Sequence, residues 1–280
     1  MKKYFTFTLV IFLMFFPSGC KKKSDHYQVF AVKYLELKTT SAKNAAIGAN
    51  PNDSVKNCFM VWLLKGDNGR TILVDAGYTD TSKIRSNKYV RPDLVLQRMN
   101  VFPSDISDLI LTHPHWDHIG GISLFPKATI WMQRADFDYY VSGKWQEDGH
   151  SEGFTKDNIP DILNVQAQGR LKLVEGDSIE IIPGIRVFTG SRHSWENQYL
   201  LINANSKNDK ILLASDASWF YYNLNHLLSV PLVIDPVSYV KALRRMKTLV
   251  TDPDMIIPGH DDLVFSKFPE VAEWIVKIEK

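Results

Sequence analysis

The 280-residue chain has only two cysteines, Cys20 and Cys58, so no disulfide framework can hold it and its stability has to come from a buried core. Long apolar runs are scarce as well. The one at residues 4–16 is too short to span a bilayer comfortably. Charge of either sign is nearly balanced: the formal net charge is +2, and it falls to zero once Lys2 and Lys3 are set aside. A basic face for a nucleic-acid partner is therefore not expected. Short-period repeats and low-complexity segments are missing too, which excludes solenoids and extended disordered tails. What is abundant is core material. With 45% hydrophobic and 12% aromatic residues, the chain suits one large globular domain or two small ones.

Two lysines, the apolar run and a small-residue stretch before Cys20 give residues 1–19 the layout of a secretory signal. The segment resembles a bacterial lipoprotein signal, in which the cysteine becomes the lipidated first residue. Ser18 and Gly19 fit that pattern, and Pro17 stands where such signals usually carry Leu. The expectation is an exported protein anchored at the cell envelope through a lipid on Cys20, on the periplasmic or surface side, or otherwise periplasmic or secreted. Residues 20–26 then read as a tether and 27–280 as the folded domain. With Cys20 lipidated, Cys58 is left alone in "NCFMVWLLKG" and reads as a strand residue of the core.

Along the domain, "YQVFAVKYLEL" and "CFMVWLLKGDNGRTILVDAG" have strand patterning, the latter as a hairpin turning at Asp67-Asn68-Gly69. "PDLVLQRMN" has helical spacing, and "DISDLILTH" a short buried strand delivering the chain to His113. "HIGGISLF" can open a helix. Strands follow at "ATIWMQ", "LKLVEGDSIEIIPGIRVFTG", "NQYLLINA" and "KILLASD", then a helix at "DPVSYVKALRRMKTLV". Residues 136–165 read as an irregular segment, of the kind that forms a lid or binding loop.

The densest chemistry lies in "LTHPHWDHIGG", where His113, His115, Asp117 and His118 crowd six consecutive positions. Packing explains such a cluster poorly, because apolar side chains would fill the space without needing hydrogen-bond partners. Neutral imidazole and carboxylate are instead ligands for zinc, iron or manganese. Three more polar residues end apolar strands: His193, Asp216 and His260. Strand ends gather at the rim of a sheet, where sites form. His26, His150 and His226 stand outside these patterns and read as surface residues, His150 being the one nearest a substrate if its loop folds over the site.

On Asp75 in "LVDAG", "THPHWDHIGG", His193, Asp216 in "LASDAS" and His260 in "PGHDDLVF", the chain resembles the metallo-β-lactamase superfamily and, within it, the N-acyl homoserine lactonase-like group. The resemblance covers roughly residues 55–270. It implies an α/β fold, a four-layered αβ/βα sandwich holding two divalent ions, zinc first, with iron, manganese or cobalt as other occupants. His113, His115 and His193 would bind one ion, Asp117, His118 and His260 the other, and Asp216 would bridge them. Asp75 and Thr112 would support the ligands from behind. Relatives with a cysteine at the bridging position, or without the bridging aspartate, fit less well. Glyoxalase II shares all seven ligands, but its C-terminal helical domain is not evident in the short tail after His260.

Two departures stand out. The third histidine is commonly followed by Thr-Pro-Gly, and here by Ser194-Trp195-Glu196. Known lactonases carry a substrate-binding tyrosine three places after the bridging aspartate, where this chain has Trp219; that leaves Trp219, Tyr221 and Tyr222 as candidates for substrate contacts. The expected reaction is hydrolysis of a lactone or related ester in a small molecule, with Asp117 and Asp216 as catalytic carboxylates, one of them handing a proton to the leaving oxygen. Two nearby ions depress the pKa of shared water from about 15.7 towards 7 and so supply the nucleophile. The same metal site acting on a thioester, phosphoester or β-lactam is the alternative, and a non-catalytic metal-binding lipoprotein the third reading. The aromatic content is also compatible with an oligomer.

Overall fold

The computed structural model describes residues 1, 25–84, 86–204 and 209–279. The expected signal, Cys20 and most of the tether fall in 2–24, outside the described residues.

Strand β1 (Tyr27–Ser41) and strand β2 (Ser54–Gly66) form a long antiparallel hairpin, and β3 (Thr71–Val74) returns beside β2 after the turn at Asp67–Gly69. Alternation of side chains along a strand sends Phe30, Val32 and Tyr34 to one face and Tyr27, Val29 and Ala31 to the other. All six are buried, because both faces of this sheet are covered. Strands β4 (Asp108–Ile110), β5 (Thr129–Gln133) and β6 (Leu171–Val174) add in parallel beyond β3.

A second sheet, of five strands, contains β7 (Ile179–Ile182), β8 (Ile185–Phe188), β9 (Tyr199–Asn203), β10 (Lys210–Ser215) and β11 (Ile256–Pro258). Trp62, Leu64, Val74 and Ile110 of the first sheet pack against Ile185, Leu200, Ile202 and Leu213 of the second. Helices α1 (Pro92–Leu96), α3 (Arg134–Ser142) and α5 (Ile159–Ala167) cover the outer face of the first sheet. Helix α6 (Pro236–Leu249) covers the second, burying Tyr239, Ala242, Leu243 and Met246 at three- and four-residue spacing. Asp235 caps it by accepting from the amides of Val237 and Ser238. The result is the four-layered αβ/βα sandwich.

Two local expectations change. Residues 136–165 are not an irregular loop: α3, α4 (Lys144–Glu147) and α5 occupy most of them, each too short for its periodicity to be read, and left-handed Gly143 separates the first two. "HIGGISLF" contributes only a one-turn helix, α2 (Trp116–Ile119), followed by a 3-10 turn. The tail after His260 is also structured, with β12 (Glu270–Ala272) and β13 (Ile275–Ile278) extending the first sheet beside β1. Cys58 lies in β2, fully buried. Among the described residues no helix is long and apolar enough to cross a membrane.

Candidate metal centre

Parallel strands β3 and β4 end side by side, so the residues that follow them, Asp75 and Thr112, meet at one rim of the sheet, where α/β folds place their ligands. The Asp75 carboxylate accepts from the Thr112 amide at 2.8 Å, from the Thr112 hydroxyl at 2.9 Å and from His118 Nδ1 at 2.8 Å. It also accepts from Ser215 Oγ at 3.2 Å. Asp75 is 0% exposed, and these donors replace the water it loses on folding.

The hydrogen bonds behind the histidines decide which nitrogen each offers. Nδ1 of His193 donates to the Leu232 carbonyl at 2.8 Å and Nδ1 of His260 to the Cys58 carbonyl at 3.1 Å. Carbonyls only accept, so the proton sits on Nδ1 and Nε2 is left as a bare lone pair. His118 is fixed in the same way by Asp75, and His113 by the Thr112 hydroxyl at 3.0 Å, whose own proton is spent on Asp75. These bare nitrogens converge. Nε2 of His113 and Nε2 of His193 lie 3.0 and 3.1 Å from His115 Nδ1. His118 Nε2 faces Asp216 Oδ1 at 3.3 Å and Asp117 Oδ2 at 3.5 Å, and His260 Nε2 faces the same two atoms at 3.0 and 3.7 Å.

Lone pairs aimed at lone pairs repel unless a cation stands between them. His118 Nε2 and Asp216 Oδ1 are moreover buried without a hydrogen-bond partner, which calls for an explanation of this kind. The donors form two groups that could each hold an ion, His113, His115, His193 and Asp216 in one and Asp117, His118 and His260 in the other, with ligand atoms within 4.8 Å of one another in each group. Neutral imidazole and carboxylate fit a pair of divalent ions.

Electrostatics separates the groups. Burial, reinforced by neighbouring imidazoles, holds the pKa values of His113 and His115 well below the usual histidine value. Burial pulls His118 and His260 the same way, but carboxylates outweigh it and raise both: Asp117, Asp216 and Asp75 at His118, Asp216 and Asp117 at His260. Asp216 is held well below the carboxylate range, its burial overcome by His260 and His118.

Close approach of backbone completes the assembly. A Cβ on Gly259 would lie 2.7 Å from the Ser215 carbonyl carbon and 2.9 Å from Asp216 Oδ1, and one on Gly121 only 2.2 Å from the Ala76 carbonyl oxygen. Only glycine lets these loops close on the site.

The comparisons with known proteins agree with this geometry. Residues 52–193, just over half of the chain, match the model of the metallo-beta-lactamase superfamily. The chain belongs to the metallo-β-lactamase superfamily. It is 30% identical over 169 residues to N-acyl homoserine lactonase AiiA of Bacillus thuringiensis subsp. kurstaki, a match spanning 60% of this chain and 60% of that lactonase. A mutant of B. thuringiensis AiiA with N-decanoyl-L-homoserine bound at its active site superposes with a TM-score of 0.67 at 23% identity, over 87% of this chain and 97% of that one. AidC, a dizinc quorum-quenching lactonase, superposes with a TM-score of 0.64 at 16% identity, covering 85% and 91%. At such identities the superpositions speak for the fold.

The three candidate substrate contacts within this superfamily fold have other occupations. The Trp219 indole donates to Asp216 Oδ2 at 2.6 Å. Tyr221 is 7% exposed, packed in the core between the sheets with Lys267 Nζ over its ring. The Tyr222 hydroxyl donates to Asp53 at 2.9 Å. Among the described residues neither tyrosine hydroxyl is a hydrogen-bond partner of the seven metal-site residues. His26 and His150 are half-buried and His226 exposed, and all three stand apart from both donor groups.

Other residues brace the site without announcing themselves in the sequence. Buried Asp136 on α3 accepts from Ser194 Oγ at 2.7 Å and from the Glu196 amide at 2.9 Å, pinning the loop that follows His193. Its burial pushes the carboxyl up to about 7. Gln198, just before β9, donates its amide to the Thr112 carbonyl and its side chain to the Leu111 carbonyl. Phe154 stands edge-on to His115 at 4.6 Å, in a segment held by the Trp116 amide on the Gly153 carbonyl. The expected binding loop therefore does lie against the centre, at one point.

Proposed function

We propose that the chain is an exported dinuclear metal hydrolase that opens lactones of the N-acyl homoserine type, or related esters. The observation that carries this is the convergence of seven donors in two groups around Asp216, with the bare nitrogens of four histidines fixed from behind. Named N-acyl homoserine lactonases at about 30% identity support this choice of substrate class, and the chain spans about 60% of the length of those curated relatives.

His113, His115, His193 and Asp216 would hold one ion, and Asp117, His118, His260 and the far oxygen of Asp216 the other. When bound, the pair supplies Lewis acidity and an activated water at neutral pH. The protein's own part is to hold four of the five imidazoles from behind, and to carry a proton. Both oxygens of Asp216 face histidines and one also takes the Trp219 N–H. Asp117 is the one member of the seven that is only half-buried. It is therefore the carboxylate better placed to pass a proton to the departing oxygen.

The N-terminal pattern supports export and lipid attachment at Cys20. In the first sheet Tyr27 pairs with Gly66, whereas Val74, next to the site, pairs with Trp62 and through it with Ala31. Tyr27, where the folded domain starts, thus lies roughly 13 Å along the sheet from the level of Val74, on the side away from the metal centre.

The test is elemental analysis of protein purified without residues 1–20, paired with a pH-indicator assay on acyl homoserine lactones and simple lactones. Two metals per chain with proton release are expected. Two metals without turnover would redirect the search to other esters, and a metal-free folded protein would overturn the reading.

A further inference from the structure

We propose that Trp219 is a positioning residue for the metal pair: its indole N–H sets the rotation of the Asp216 carboxylate so that Oδ2 serves the three-histidine position. The inference rests on the two-ion reading above. An aspartate's terminal torsion is soft and nearly two-fold, so the side chain's own barrier does not decide which way its oxygens point. A bridging carboxylate needs that decision made. Here Oδ1 faces His118 Nε2 and His260 Nε2, with no hydrogen-bond donor on it. Oδ2 faces His193 Nε2 at 3.1 Å and takes the indole N–H at 2.6 Å. The Trp219 N–H thus acts on the oxygen that faces the first group.

The indole is itself held. It stands nearly perpendicular to the rings of His193 and His260, with centroids 5.9 and 6.0 Å away, one histidine from each donor group. It packs on the small cluster of Ala42, Ala45, Val55 and Phe220. Its carbonyl accepts the His260 amide at 2.9 Å, so the residue cannot withdraw without dragging a ligand of the other ion. Tryptophan has one donor and no acceptor, and that donor is committed to Asp216. This separates Trp219 from the substrate-binding role that its place in the sequence suggests.

The experiment is a chelator titration of metal-loaded protein, read as metal retained per chain, with circular dichroism as the check on folding. Trp219→Phe keeps an aromatic ring and removes the N–H. One ion is expected to leave at 10- to 100-fold lower chelator concentration, the usual range for losing a support of a metal ligand, while the other shifts by less than about threefold. In a His260→Ala background, where only the three-histidine position is complete, Trp219→Phe should produce the same shift; in a His193→Ala background it should produce almost none. An isostere with sulfur in place of the indole N–H, benzothienylalanine at position 219, keeps the ring contacts and should behave like Trp219→Phe, which also covers the case in which the phenylalanine variant folds poorly. Unchanged retention, or equal weakening of both ions, overturns the proposal. A wild-type protein that holds fewer than two ions overturns the two-ion reading itself, and this inference with it.

Discussion

His113, His115 and His193 face one another as three imidazoles, whereas Asp117, His118 and His260 combine two imidazoles with a carboxylate. Protons can stand in for a missing cation in the second group, because carboxylates raise the pKa values of His118 and His260. They cannot in the first, where burial and like neighbours lower those of His113 and His115. One cluster therefore contains a position that tolerates an absent ion and one that depends on it for its shape. Asp216, counted with the first group, faces both, and it offers a different oxygen to each.

Removing that shared residue should erase the difference. Asp216→Ala is expected to reduce metal content below one ion per chain and turnover by on the order of 10²–10³-fold or more, the scale of losing a group that acts on the transition state. Elemental analysis with circular dichroism checks it. A folded variant retaining two ions would show that the two positions are not joined through Asp216. A smaller and asymmetric effect is expected behind the ligands. Asp75→Asn weakens the acceptor that fixes His118 directly and, through Thr112, His113 at one remove. Retention at the His118 position should drop roughly 10- to 100-fold and at the other position less. Equal losses would mean that Asp75 acts on the fold of the rim and not on one histidine.

The seven donors also differed in how plainly the sequence announced them. His113, His115, Asp117 and His118 sit in one short stretch running from a buried strand into a one-turn helix, so their chemistry is visible as a local pattern. His193, Asp216 and His260 are isolated polar residues at strand ends, and only the resemblance to a family joined them to the cluster. The β-hairpin at Asp67–Gly69 and the helix capped by Asp235 were legible because their turn and cap residues are local signals. Asp136 was not, because its partners lie 58 and 60 residues away and nothing near it in sequence marks it as buried. Trp219 shows the same limit from another side. A sequence reveals that an indole has a proton to give, and the fold alone decides that Asp216 receives it.

Asp136 provides a way to disturb the three-histidine group by pH. Its folded pKa of about 7 lies above the ordinary carboxylate value of 3.8, so between those limits the folded state binds a proton that the unfolded state has lost. Stability is therefore greatest below about pH 4 as far as this group is concerned, and it declines as pH rises to about 7, by at most roughly 4 kcal/mol. Asp136→Asn, which cannot ionise, should flatten that part of the stability curve in urea titrations of metal-free protein. The change should register in the loop after His193 and not at His118 or His260. An unaltered pH profile would mean that Asp136 is already ionised in the folded state.

The smallest effect expected is at Tyr221, and its size is the point. Its hydroxyl is buried without a hydrogen-bond partner, and its ring is packed between the sheets beneath Lys267. Tyr221→Phe removes a polar atom that lost its hydration on folding and regained nothing, so stability should stay level or rise by about 1 kcal/mol. Metal content and turnover should stay within about twofold of the wild type, because the ring's contacts survive and nothing at Asp216 or Asp117 changes. A phenol that touched substrate would behave in the opposite way, leaving stability alone and lowering kcat/KM. Measuring both quantities on one variant separates the packed tyrosine from a substrate-binding one. A clear loss of turnover with unchanged stability would bring Tyr221 back into the site.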